Sequence, residues 1–177
     1  MTDMMTDAEY GVVAEPATLT ISRLLPGPID RLWTYLIDSD LRRKWLAAGA
    51  MEQQAGAPVE LVWRNDELMN DAGTRPDGFA EEDRMTCCVT EIDAPRQLGI
   101  SWGSTGGVTF TLEERGAEVL LTVTHHRVAD RSTLLDVSAG WHAHLDLLVS
   151  HLRGTRPAPY WDEWSRLRGI YDKRLPA

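Results

Sequence analysis

The chain has 177 residues, of which 43% are hydrophobic and 25% charged, as is typical of one globular domain with its own core. Its formal net charge of −9 makes binding to nucleic acid or to an anionic membrane surface unfavourable, because both need a basic surface. No apolar run approaches the ~20 residues that cross a bilayer, and the acidic N-terminus lacks the features of a secretory signal. We therefore predict a cytoplasmic protein without membrane insertion, whose residues 1–16 form a flexible leader.

The two cysteines of the chain, Cys87 and Cys88, are neighbours within a predicted strand. Adjacent side chains of a strand point to opposite faces, so we expect one thiol in the core, one outside and no disulfide between them. This arrangement agrees with a reducing compartment, and it lacks the CxxC spacing of a metal site.

The first predicted element is a strand over 17–25, in which Leu19 and Ile21 alternate with polar residues. Two short helices follow it. The first begins at Pro28, which suits an initial helical turn, and the second lies between an N-cap at Asp38 or Ser39 and a stop at Gly49.

The middle of the chain predicts an antiparallel meander. Its candidate strands share an alternation of apolar and polar residues, and they cover 51–54, 58–64, 84–92, 96–103 and 107–128. A turn around Arg115 and Gly116 divides the last of them into two. This one-sided alternation is typical of a sheet with one wet face and one covered face.

The last third of the chain supplies the element that covers the sheet. Apolar residues recur at steps of three and four between Ser132, the expected N-cap, and Gly154, which predicts a helix of about twenty residues. A shorter aromatic helix containing Trp161 and Trp164 is predicted after Pro159. We expect this tail, residues 156–177, to pack on its own domain or to form a dimer contact.

Four ordered stretches carry a family resemblance. They are "RLLPGPIDRLWTYLIDSDLRRKWL" from residue 23, "VTEIDAPRQLGISW" from 89, "LTVTHHRV" from 121 and "GWHAHLDLLVSHLRG" from 140. Together they resemble the START-like (SRPBCC) superfamily, in the branch of the homologues of the activator of the heat-shock-protein-90 ATPase and of polyketide cyclase-like proteins.

The resemblance implies an α+β helix-grip fold over residues 17–155. In this fold a curved antiparallel sheet of six to seven strands wraps around a long C-terminal helix, with two short helices after the first strand. It also implies an internal cavity for a hydrophobic or aromatic small molecule or lipid. Two alternatives stay open, namely a cyclase or hydrolase that uses the same cavity, and a stress-related chaperone cofactor that acts through surface contacts with a chaperone partner.

Tryptophan dominates the candidate ligand contacts, since the chain holds seven tryptophans and only two phenylalanines. An indole combines a large apolar body with an N–H donor, which suits the wall of a site for a flat ligand. The predicted ligand-binding residues share inward-facing positions on the strands and helices, and they are Trp33, Trp45, Leu61, Trp63, Cys87, Ile100, Trp102, Phe110, Val123, His125, Trp141, Leu145 and Leu148.

The histidines are the residues considered for catalysis or metal binding. His125 is predicted to face inward and is the candidate acid or base of the enzyme alternative. His142 and His144 are two positions apart, about 160° around a helix, so they do not form a metal pair and are predicted to face mostly away from the core. We predict no metal and no cofactor.

The segment over 65–83 is polar, acidic and contains glycine. A long loop of this kind in a compact domain is often a lid, and we expect this one to be a loop or a hairpin tip.

Overall fold

The computed structural model describes residues 9–14 and 17–175. These residues form seven strands and four α-helices. The strands are β1 (Val12–Ala14), β2 (Thr18–Pro26), β3 (Pro58–Trp63), β4 (Asp83–Asp93), β5 (Gln97–Trp102), β6 (Gly106–Arg115) and β7 (Glu118–His126). The helices are α1 (Ile29–Ile37), α2 (Ser39–Arg42), α3 (Arg131–Arg153) and α4 (Tyr160–Arg174).

The strands make one antiparallel sheet in the order β1-β2-β7-β6-β5-β4-β3. Along β7 every second residue is buried, and its inner face holds Val119, Leu121 and Val123. The predicted alternation is therefore confirmed, and so is the α+β helix-grip fold, with α3 packed against the buried face.

Several sequence predictions about single elements are wrong. Helix α2, which was predicted to continue to a stop at Gly49, ends at Arg42. Residues 51–54 form a bent connection instead of a strand, in which the Gln54 N–H donates to the Glu52 carbonyl and the Gln53 side chain accepts from Trp33 Nε1 at 3.0 Å. Helix α3 begins earlier than predicted, because the Asp130 carboxylate, and not Ser132, accepts the Thr133 N–H at 2.8 Å. Its predicted end is confirmed by Gly154, which has a left-handed φ of 71°.

The cysteines lie as expected. Cys87 is buried and Cys88 is half-buried on the other face of β4, and both thiols are free. Burial raises the pKa of the Cys87 thiol to about 11, so it stays protonated at neutral pH.

A buried arginine organises the segment after α1. Arg42 is 2% exposed, and its guanidinium donates to the carbonyls of Leu36, Ala47 and Gly49. These three acceptors belong to the end of α1 and to the turn that leads toward β3. The side chain thereby holds the two short helices against the core.

Both ends of the described chain meet on the outer side of α3. Helix α4 packs along α3, and its Tyr171 hydroxyl accepts the Gly11 N–H at 2.8 Å and lies 2.8 Å from His142 Nδ1. Residues 12–14, which the sequence assigns to a flexible leader, pair with β2 as an edge strand. Residues 9–11 of that predicted leader are also described, with Tyr10 only 5% exposed, whereas residues 1–8 and 15–16 lie outside the described residues.

Replacing Tyr171 by phenylalanine is expected to lower the free energy of unfolding by about 2 kcal/mol, because a buried N–H and a buried imidazole each lose a partner. Urea denaturation measures the change. Tyr35→Phe is the matched control, since Tyr35 is only half-buried and its hydroxyl has no hydrogen bond to the described residues. Equal losses in the two variants would contradict the role assigned to Tyr171.

No helix in the described ranges is both long enough and apolar enough to cross a bilayer.

Candidate functional site

A cavity of about 560 Å³ lies where one end of the sheet, α3, α4 and the loop after β3 meet. The sequence predicted a cavity between the sheet and the long helix. The observed cavity lies closer to the N-terminal half of α3. Leu145 and Leu148, which were predicted as ligand contacts, are instead fully buried in the core. The bulky Trp45, also fully buried, helps to fill the interior beside them.

Three tryptophans form the wall on the sheet side. The ring centres of Trp63 and Trp102 are 5.5 Å apart, and those of Trp102 and Trp141 are 5.6 Å apart. Each pair is edge-on or tilted, which is the favourable geometry for neighbouring aromatic rings. Residues of β3, β5 and α3 thus make one continuous aromatic surface.

Helix α4 and the loop form the opposite wall. Tyr160, Trp161 and Trp164 lie on the cavity side of α4, and Phe79 contacts both indoles with ring centres 5.2 and 5.0 Å away. Phe79 is one of the few large hydrophobic residues with substantial exposure, at 40%. It therefore lies at the rim, between solvent and the two tryptophans.

The loop is fastened to the start of α4. Asp66 accepts from Trp161 Nε1 at 2.7 Å, and the Trp161 N–H donates to the Ala72 carbonyl at 2.7 Å. Asp66 also forms an ion pair with Arg75. The predicted loop over 65–83 is therefore largely irregular, with a short 3₁₀ turn at Asn65–Glu67, and its residues 78–81 border the cavity.

Gly140 lies in the middle of α3 and also borders the cavity. A Cβ at this position would meet only Trp164 Nε1, at 3.9 Å, which is an ordinary contact distance. Glycine within a helix is less favourable than alanine by about 0.5–1 kcal/mol, and close packing does not require it here. Its effect is to expose the backbone of α3 to the cavity.

His125 lies behind the aromatic wall and does not border the cavity. Trp141 Nε1 donates to His125 Nδ1 at 3.0 Å, so the neutral imidazole fixes the orientation of that indole. Burial, together with the neighbouring His126, lowers the pKa of His125 to about 4. At neutral pH it is therefore uncharged, with one ring nitrogen already engaged.

His144 does border the cavity, where it orients Tyr160. Its Nδ1 lies 2.7 Å from the Trp45 carbonyl and must donate to it, so Nε2 accepts from the Tyr160 hydroxyl at 3.1 Å. Burial lowers the pKa of His144 to about 4 and raises the pKa of Tyr160 far above its usual value. Both groups are neutral at pH 7, which suits a binding wall better than a proton-transfer site.

The prediction that the α3 histidines face mostly away from the core is wrong. His142 is fully buried and His144 is 5% exposed. The apolar periodicity of the α3 sequence identifies only the helix face that meets the sheet. Helix α4 covers a second face of α3, and these histidines lie on that face. No group of three or more metal-ligating side chains is present among the residues described.

Three of the predicted ligand contacts, Trp63, Trp102 and Trp141, border the cavity. The others lie in the surrounding core and do not reach it, and these are Trp33, Trp45, Leu61, Cys87, Ile100, Phe110, Val123, His125, Leu145 and Leu148.

Sequence reasoning did not assign the second wall to the site. The cluster "YWDEW" signals an aromatic helix start, but periodicity alone does not say what that helix faces. Phe79, an isolated aromatic in an acidic loop, is a second local feature of this wall, and Gly140, a glycine within a helical pattern, is a local feature of the α3 side of the cavity.

The architecture and cavity together define the class of protein, a helix-grip domain with an aromatic chamber at one end of its long helix. The family model of the Activator of Hsp90 ATPase homolog 1-like proteins matches residues 26–153, and the chain belongs to this family. The match ends before α4, so the helix that supplies Tyr160, Trp161 and Trp164 to the cavity lies outside it.

Solved structures agree with this fold. The solution structure of the protein encoded by gene BPP1335 from Bordetella parapertussis is 35% identical, with a TM-score of 0.76 over 100% of this chain and 97% of that one. CalU16 from Micromonospora echinospora is 20% identical, with a TM-score of 0.62 and 94% of each chain covered. EF2215 from Enterococcus faecalis, described as a conserved protein of unknown function, is 18% identical, with a TM-score of 0.67 over 93% and 88% of the chains. No curated protein matches the chain.

Proposed function

We propose that this protein binds a flat, apolar small molecule in the aromatic cavity. The observation that carries the proposal is the pair of facing aromatic walls around about 560 Å³ of space. Sites for small molecules in proteins commonly have volumes of about 300–1,000 Å³ and mainly apolar and aromatic linings. Flat ligands gain dispersion and stacking energy from ring faces on both sides.

Gly140 also supports ligand binding in this cavity, because a glycine at this position lowers the stability of α3. A glycine within a helix lowers stability, and here the space beside it is open. A ligand that rests against the exposed backbone explains why the position lacks a side chain. The neutral state of the His144–Tyr160 pair also favours binding over acid–base chemistry.

Substituting Gly140 by leucine is expected to fill this space and to weaken binding of the neutral probe N-phenyl-1-naphthylamine by about tenfold or more, equivalent to about 1.4 kcal/mol. Fluorescence titration of the probe measures the affinity. Gly140→Ala is expected to raise the free energy of unfolding by about 0.5–1 kcal/mol, which urea denaturation measures.

Gly169→Leu is the matched control, because Gly169 is an exposed glycine of α4 with open space around it and no contact with the cavity. The control should bind the probe like the unmodified protein. Equal binding by the Gly140→Leu variant, or no binding by the unmodified protein, would refute the proposed function.

A further inference from the structure

We propose that the ligand of this cavity is an organic cation, a flat apolar body that carries a protonated amine. The inference rests on the proposed function, since it assumes that the cavity binds a small molecule, and it adds the charge of that molecule. It is drawn from the distribution of charge around the rim of the cavity.

Acidic residues are concentrated in the segment whose end borders the cavity. Residues 64–84 hold seven carboxylates against three arginines, a net charge of −4 out of the −9 of the whole chain. The carboxylates belong to Asp66, Glu67, Asp71, Asp77, Glu81, Glu82 and Asp83. A field of one sign at the mouth of a cavity raises the local concentration of ligands with the opposite charge.

Several acidic groups near the cavity already have cationic partners. Asp66 pairs with Arg75, Glu82 with Arg64 and Arg84, and Asp136 accepts from Arg168 Nε at 2.7 Å. These carboxylates are largely neutralised within the protein. They therefore contribute little to the attraction of a charged ligand.

Two carboxylates that border the cavity lack such partners. Across residues 9–14 and 17–175, Glu81 has no ion pair or hydrogen bond, and the only bond to the Asp83 carboxylate comes from the Arg84 backbone N–H. Both residues are exposed at the rim. A ligand ammonium group in the mouth would supply the missing counter-charge.

Among the described residues, Arg84 is the one cationic residue that borders the cavity, and it does not offset these charges. The Arg84 guanidinium is held by Glu60 through one terminal nitrogen and by Glu82 through Nε at 2.8 Å. These contacts raise the pKa of Arg84, so its guanidinium remains charged and is already bound by the two carboxylates. An anionic ligand would have to compete with the carboxylates that already bind Arg84.

The aromatic wall next to the acidic rim also suits a cation. Phe79 lies two residues before Glu81 and contacts Trp161 and Trp164. Indole and phenyl faces attract ammonium groups through the ring quadrupole, whereas they repel carboxylates. The same rings can therefore hold the apolar body and favour a positive charge at its end.

A matched series of probes tests the inference with the full-length protein. We would titrate 2-naphthylmethylamine, 2-naphthalenemethanol and 2-naphthoic acid, which share one ring system and are cationic, neutral and anionic at pH 7. Isothermal titration calorimetry should show the amine binding about tenfold or more tightly than the acid, and more tightly than the alcohol. Its advantage should shrink at high salt, because ions screen exposed charges.

The variant Glu81→Gln/Asp83→Asn should weaken amine binding about tenfold and leave alcohol binding unchanged. Its matched control is Glu91→Gln/Asp93→Asn, which removes the same two groups at the same spacing from the other end of β4, where both are exposed. If the alcohol binds as tightly as the amine, or if the two variants behave alike, the cation inference is overturned while the proposed function stands. If none of the three probes binds, the proposed function fails and the inference fails with it.

Discussion

Replacing Arg42 by methionine is expected to lower the free energy of unfolding by about 3 kcal/mol or more. The substitution leaves three buried carbonyls, those of Leu36, Ala47 and Gly49, without their donor. Each unsatisfied buried acceptor costs about 1–3 kcal/mol. Methionine offsets part of this loss, because the folded protein no longer has to desolvate a guanidinium. Burial lowers the pKa of Arg42 to about 10, so the guanidinium stays charged at neutral pH, and each of its three nitrogens donates one hydrogen bond.

Urea denaturation of Arg42→Met and Arg43→Met tests this expectation with neighbouring residues. Arg43 is exposed, and its replacement should change the free energy of unfolding by less than about 0.5 kcal/mol. Arg42→Lys should give an intermediate loss, because an ammonium lacks the planar fork that reaches three carbonyls. Similar stabilities of the two methionine variants would show that the carbonyl contacts contribute little.

Acidification from pH 7.5 to pH 4 is expected to destabilise the protein by at least about 3 kcal/mol. The folded-state pKa values of His125 and His144 are lowered to about 4 by burial, whereas an unfolded histidine titrates near 6.5. Between these values the unfolded chain binds protons that the folded chain does not. The stabilising contribution of the two buried neutral histidines is therefore present above pH 6.5 and is lost as the pH falls toward 4. Each residue contributes about 3 kcal/mol to the free energy of unfolding.

Asp146 acts in the opposite direction in the same range. Burial raises its folded-state pKa to about 6, against the effect of the Arg23 guanidinium 3.0 Å away. The folded state then binds a proton before the unfolded state does, so acidification through pH 6 increases stability. About a third of this side chain is exposed, so we expect its effect to be smaller than that of the two histidines together.

The variant His144→Asn isolates one of the two histidines. Its amide can still donate to the Trp45 carbonyl but cannot titrate, so the acid-induced loss should shrink by about 3 kcal/mol. His151→Asn serves as the control, because His151 is exposed. Urea denaturation at several pH values provides the data, and an unchanged pH dependence in His144→Asn would contradict the assignment.

The sheet and the long helix were predictable because their signals are local. In β7, the buried Val119, Leu121 and Val123 alternate with half-buried residues, and a strand that is buried on one face has this period of two. The glycine at 154 marks the end of α3 in the same local way. The start of α3 was misplaced because Asp130 and Ser132 are both suitable caps, and only backbone geometry selects Asp130.

The environment of the α3 histidines was not predictable from that helix. Whether His142 and His144 are buried depends on α4, which follows α3 after a six-residue connection and folds back on it. Helical periodicity specifies which side chains share a face, but it does not specify how many faces are covered.

By itself, the sequence indicated the class of fold, through the order of its elements and the family resemblance, and the inner face of the sheet, because strand periodicity is local. It named Trp63, Trp102 and Trp141 among thirteen predicted ligand contacts without distinguishing them from the ten that lie in the core. Only the tertiary structure decided where the cavity lies, since it brings α4, Gly140 and the acidic loop together from segments far apart in the chain. It also decided which charges remain without partners, because ion pairs such as Asp136 with Arg168 form across elements and depend on distances that no local pattern encodes.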